Sequence, residues 1–259
     1  MNRPTAFSPT AAGDESYLDT VRRLSSAQKT AARGAPAYSI YVNRKVGRYL
    51  AAAAYRAGLT PNMVTAISAV FTFSGIALLA LGQPSWAVGV SVWLLLAIGY
   101  AFDSADGQVA RLRGGGSPSG EWLDHVVDSI KISSLHLAVL ITAFTHFDLP
   151  HPGWLLVPIG FTVVAAVSFF AMILNDLLKA AHPVGRPAAG GRSTLWRSLL
   201  GAPTDYGLLC AAFILLGAPG LFFGVYTLLF VANAGYLVLA LGKWFRDMSA
   251  LGAAATESS

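Results

Sequence analysis

Four aspartates stand at fixed spacings in a stretch that otherwise reads as membrane: Asp103, Asp106, Asp124 and Asp128, within DSADGQVARLRGGGSPSGEWLDHVVD. Ionised groups at bilayer depth cost on the order of 2.5–3.5 kcal/mol each on insertion scales, so an intramembrane cluster of them marks a functional site. Four like charges in one place repel unless a cation neutralises them. Carboxylates without imidazole or thiolate suit hard cations such as Mg²⁺, Mn²⁺ or Ca²⁺. Mg²⁺ is usually shared between a few carboxylates and substrate phosphates, so the chemistry expected is metal-assisted transfer of a phosphoryl-type group at a membrane surface. Where three carboxylates hold metal, a fourth can accept the proton of an attacking hydroxyl. Arg111, beside them, offers a bidentate phosphate donor.

The spacing requires helices to present these groups. Asp103 and Asp106 are i,i+3, with Gly107 and Ala110 following Asp103 at i+4 and i+7; Asp124 and Asp128 are i,i+4, with Gly120 one turn earlier. Two successive helix ends thus turn two acidic pairs toward each other, and Gly107, Ala110 and Gly120 leave a smooth surface where a flat ligand can approach backbone. Glu121 falls on another face and reads as an interfacial charge. Lys131, one turn past Asp128, reads as an ion-pair partner of Asp128 or Asp124, and His125 and His136 as packed residues rather than ligands.

The rest of the chain supplies those helices. Of 259 residues, 54% are hydrophobic and 12% charged, and mean hydropathy is +0.56, against about 25% charged in a soluble domain. Six apolar runs, near 63–82, 85–103, 122–147, 154–178, 203–218 and 220–242, predict an all-α integral membrane protein of six transmembrane helices. Nine of the 18 basic residues precede the first run; most of the others fall between runs two and three, between runs four and five, or after run six. That alternation predicts both termini and the working face on the cytoplasmic side, in the plasma membrane if the source is bacterial. The net charge of +5 then reflects basic loops facing anionic lipid, with no nucleic acid partner.

The expected organisation is a cytoplasmic segment over 1–60, a membrane domain over 61–246 and an unstructured tail over 247–259. Residues 1–16 read as disordered, 17–32 as helix-compatible, and 38–57, with Arg44, Lys45, Arg48 and Arg56, as an amphipathic helix along the headgroups. No apolar leader is expected in the polar first 60 residues. Cys210, the only cysteine, excludes an internal disulfide.

The string D-x-x-D-G-x-x-A-R-x8-G-x-x-x-D-x-x-x-D over Asp103–Asp128 resembles the signature of the CDP-alcohol phosphotransferase family at every position, and the six-run layout is similar over about 60–245. The resemblance implies transfer of a substituted phosphate from a CDP-linked donor, often CDP-diacylglycerol, to an alcohol acceptor with release of CMP. It implies Asp103, Asp106, Asp124 and Asp128 as metal ligands for Mg²⁺ or Mn²⁺, two ions in many members, and Asp128 as general base. Gly107, Ala110, Arg111, Gly120 and Thr65 would line the CDP site, and members often form homodimers. Lys179, Arg186 and Arg192 are candidates for a phosphorylated acceptor, or are simply loop charges. The motif leaves open the reversed form, in which a CDP-linked polar alcohol is transferred to diacylglycerol. A cation transporter is the third reading, although it predicts acids spread through the bilayer depth rather than gathered at one end.

Overall fold

The computed structural model describes residues 16–26, 38–182 and 204–257, all in helices and their connections with no strand among them. Helix α1 (Tyr17–Ser26) is followed by a π turn, Ser39–Asn43, that leads into α2 (Arg44–Arg56). Then come α3 (Pro61–Leu81), α4 (Trp86–Leu112), α5 (Pro118–His146) and α6 (Leu156–Ala181). A short α7 (Tyr206–Ala212) runs on as a 3-10 turn to Gly217, and α8 (Pro219–Glu257) closes the chain. Among the described residues, five stretches are long and apolar enough to cross a membrane: Pro61–Leu81, Trp86–Leu112, Pro118–His146, Pro152–Ala181 and Pro219–Leu251.

Capping fixes where the site-bearing helices begin. Thr60 accepts from Met63 N with Pro61 in the first turn, and Ser117 accepts from Gly120 N with Pro118 likewise placed. Between α4 and α5 the chain turns through Gly114 and Gly115 at φ +96° and +136°, a backbone only glycine adopts cheaply. Helices α3 and α4 cross closely where Gly99 faces Ser68 and Thr72. A methyl at Gly99 would stand 2.2 Å from Thr72 Oγ1, and Ser68 Oγ donates to Gly99 O at 2.8 Å.

Three boundaries differ from the sequence expectation. Helix α4 continues nine residues past Asp103, because a hydropathy window stops at the first charge whereas the backbone need not. The run expected over 203–218 gives only the 12-residue Tyr206–Gly217, about 18 Å long at 1.5 Å per residue and short of a ~30 Å core. It lies antiparallel along α4, with the Tyr206 ring 5.0 Å from Tyr100 and Gly217 against Trp86. Helix α8 extends to Glu257 through most of the tail expected to be unstructured over 247–259, where the sequence SALGAAAT supplies good helix formers. Residues 1–15, including most of the expected disordered start, lie outside the described residues.

The core has two parts. At one end Phe213, Phe222, Tyr226, Leu79, Leu96, Leu135 and Leu216 are buried together. At the other, small and branched residues, Ala51, Ala52, Ala54, Val64, Ala105 and Val109, join α2, α3 and α4. The aspartates stand at this second end.

Candidate active site

The last three turns of α4 and the first three of α5 carry the acidic groups, and the start of α3 closes one side. Asp103, Asp124 and Asp128 each offer an oxygen such that the three lie within 4.8 Å of one another, all half-buried. Oxygens around a shared Mg²⁺ at ~2.1 Å stand ~3–4 Å apart, so this all-oxygen donor set fits a hard cation after a small closure. Asp106 points elsewhere. It is 7% exposed and accepts from Thr65 Oγ1 at 2.7 Å, which ties α4 to α3. The four aspartates are therefore gathered at one end but divided, three around a common point and one against α3.

Lys131 sits beneath the three. Its Nζ is 2.9 Å from Asp103 Oδ1 and in direct contact with Asp128 Oδ1. The residue is 5% exposed, a burial that an ammonium tolerates only when paired. The pairing expected with Asp128 is present; the second partner is Asp103 rather than Asp124.

The surface beside the cluster is open at one glycine and tight at the other. Gly107 is exposed, and the only group near its missing Cβ is Arg111 Nη1 at 3.8 Å, so the guanidinium lies alongside a bare stretch of helix. A methyl at Gly120 would instead meet Asn62 Oδ1 and Ser117 Oγ, both at 3.1 Å. Ala110 is buried. Lys179, at the end of α6, is bound at 3.6 Å to Asp247 of α8; Arg186 and Arg192 lie outside the described residues. Glu121 is exposed and 4.0 Å from His125, while His136 is buried against Tyr226, at 2.7 Å from its hydroxyl.

The N-terminal helices brace this end. Arg113 donates through Nε and Nη2 to Leu59 O at 3.2 and 2.9 Å, and its guanidinium and that of Arg23 both lie over the Tyr55 ring. Asn43 Nδ2 donates to Tyr100 O at 3.1 Å, and Gln108 bonds Arg44 O. Tyr206, whose ring lies 5.7 Å from Lys131 Nζ, is a neighbour of the site that sequence reading misses. Seventy-five residues separate the two, and no local pattern signals such a contact.

The profile of the CDP-alcohol phosphatidyltransferase family matches residues 58–242, more than half of the chain. A phosphatidylinositol phosphate synthase of Mycobacteroides abscessus is 28% identical over 199 residues, covering 75% of this chain and 80% of that protein. The Corynebacterium glutamicum synthase of the same name is 37% identical over 94 residues, 36% of this chain and 40% of that one. Among solved structures, a Mycobacterium tuberculosis phosphatidylinositol phosphate synthase with CDP-DAG bound aligns at TM-score 0.49 and 20% identity, over 79% of this chain and 94% of that one. A second structure of that enzyme, with manganese and citrate, aligns at TM-score 0.45 and 24% identity, over 76% and 87%. With its signature acids at one end of a helical bundle and its profile matched across the apolar helices, the chain belongs to the CDP-alcohol phosphatidyltransferase family: it is a membrane transferase of phospholipid synthesis that moves a substituted phosphate from a CDP-linked donor to an alcohol and releases CMP.

Proposed function

We propose that the donor is CDP-diacylglycerol and that the acceptor is a polar alcohol carrying its own phosphate, with an inositol phosphate the first to test. The observation that carries this reading is the convergence of Asp103, Asp124 and Asp128 beside the open Gly107 surface and the Arg111 guanidinium. The acceptor class follows the names of the curated relatives. Asp103, Asp106, Asp124 and Asp128 would hold Mg²⁺ or Mn²⁺, two ions rather than one, and the bound metal would supply positive charge that offsets the diphosphate.

The chain's own groups do the remainder. Arg111 donates to phosphate oxygens, and the bare helix at Gly107 lets the nucleotide approach backbone, with Ala110, Gly120 and Thr65 completing its wall. Asp128 takes the proton of the acceptor hydroxyl as that oxygen attacks the phosphatidyl phosphorus. The bond to the bridging oxygen breaks, and CMP leaves with the bonding pair. Lys179, Arg186 and Arg192 are the candidates to bind the acceptor phosphate.

The topology that accompanies this reading has six crossings within a membrane domain over 61–246, with the short Tyr206–Gly217 stretch counted as the fifth. Its acidic end and both termini face the cytoplasm, α2 lies at the headgroups, and two copies pair. Basic residues at the acidic end (Arg44, Lys45, Arg48, Arg56, Arg111, Arg113) support that orientation. Purified protein supplied with CDP-diacylglycerol, Mg²⁺ and a panel of alcohols should release CMP and form the matching phospholipid, and EDTA should stop it. CMP release only from a CDP-linked polar alcohol with diacylglycerol would reverse the lipid role. No release from any combination would refute the reading.

A further inference from the structure

Lys131 has a setting that the transfer reaction does not itself call for. Its ammonium is buried, holds one oxygen of Asp103 and one of Asp128, and therefore binds α5 to α4 on the inner side of the acidic cluster. Each of those carboxylates keeps a second oxygen for another task.

The lysine is in turn held from behind. Tyr206 places its ring 5.7 Å from Nζ; Tyr206 packs edge-on to Tyr100 at 5.0 Å; and Tyr100 stacks on Tyr38 at 6.3 Å with an interplanar angle of 11°. Tyr38 is fixed by Asp205, a 3%-exposed residue whose carboxylate accepts from Tyr38 N at 2.9 Å and, through its other oxygen, from Gly207 N at 3.0 Å. One side chain thus caps α7 and anchors the segment entering α2. Gly207 is required by this approach: a methyl there would stand 2.1 Å from the Tyr38 ring. A continuous set of contacts runs from residue 38, outside the region matched by the family profile, to Asp103 and Asp128.

We infer that Lys131 is a positioning residue for the transfer: a resident cation that holds Asp103 and Asp128 together ahead of metal binding, and that the Tyr38–Tyr100–Tyr206 stack, pinned by Asp205, keeps in place. The N-terminal segment is on this account a wall of the site rather than an appendage. The physical reason is charge. Carboxylates within 4.8 Å repel, and without a fixed cation each would turn to solvent and have to be recovered on every binding event. The inference rests on reading the acidic cluster as the metal site of the enzyme.

The test uses the full-length protein in detergent, with Lys131→Met and Lys131→Arg. Without metal, Lys131→Met leaves two half-buried carboxylates unpaired and should lower Tm by roughly 5–10 °C. Because its site is one charge more negative, saturating Mn²⁺ should raise its Tm by more than it raises the wild type's. The added negative charge should offset the lost preorganisation in Mn²⁺ affinity, which is expected to change by less than about tenfold, while kcat drops about 10²-fold from misplaced carboxylates and donor KM stays near wild type. Lys131→Arg should recover part of that kcat, and Tyr38→Phe, which keeps the ring, should retain more turnover than Tyr38→Ala. An unaltered metal-free Tm, or loss of Mn²⁺ binding together with kcat, would overturn the inference. These thermal and binding measurements read out even if no CMP is released, so a failure here is distinguishable from a failure of the proposed reaction.

Discussion

At one end of the bundle Phe213, Phe222 and Tyr226 are buried among leucines, and the buried polar side chains are few and bonded, as with His136 to Tyr226 and Thr142 to Leu79 O. At the other end alanines and valines do much of the packing, beside Leu24, Tyr55 and Leu112, and Asp106, Gln108 and Lys131 are buried near them. Large side chains fill space and fix the helices by contact area. Small ones bring backbones close enough for short polar side chains to bond across, as Thr65 does to Asp106. The aromatic end is therefore expected to hold the fold and the acid end to do chemistry, and substitutions at the two ends should fail in different ways.

The largest expected effect is at the acid end. Asp128→Asn should lower CMP release by about 10²–10⁴-fold if the carboxylate removes the acceptor proton, with binding of CDP in the presence of Mg²⁺ largely kept. Loss of CDP binding as well would make Asp128 chiefly a metal ligand. At the aromatic end, Phe222→Ala should cost about 3–5 kcal/mol of stability, read as a lower Tm, while the protein that remains folded keeps its donor KM. A normal Tm with a raised KM would erase the contrast between the ends.

A sharper probe is Gly107→Leu. The space beside Gly107 is open, so the variant should fold with wild-type Tm and raise the donor KM at least tenfold, about 1.4 kcal/mol. An unchanged KM would remove this surface from the nucleotide site. Gly120→Leu is less clean, because its added carbon already crowds Asn62 and Ser117. The smallest effect is expected from Tyr226→Phe, which loses the bond to His136 and should lower stability by about 1 kcal/mol without altering KM.

Much of the acid end is legible in the order of residues alone. Asp103, Asp124 and Asp128 converge as their i,i+4 and loop spacing implies, whereas α3 and α5 begin at Pro61 and Pro118, ahead of the runs expected from 63 and 122, because Thr60 and Ser117 cap them there. Asp106 is harder to place. Its spacing allies it with Asp103, but an i,i+3 step also turns a side chain toward the neighbouring helix, and Thr65 captures it there. The fifth apolar run reads longer than the helix it forms, because hydropathy counts apolar residues and not helical turns. The aromatic stack behind Lys131 leaves no trace in the sequence, since Tyr38, Tyr100 and Tyr206 share no local pattern.

The most direct test of the account is the binding of Mn²⁺ to the purified protein, followed by electron paramagnetic resonance or calorimetry, in the wild type and in Asp103→Asn and Asp124→Asn. Saturable binding in the wild type that strengthens with added CDP, and that weakens by at least about 10-fold in either variant, is the predicted result. Equal Mn²⁺ affinity in all three proteins, or none in the wild type, would contradict it.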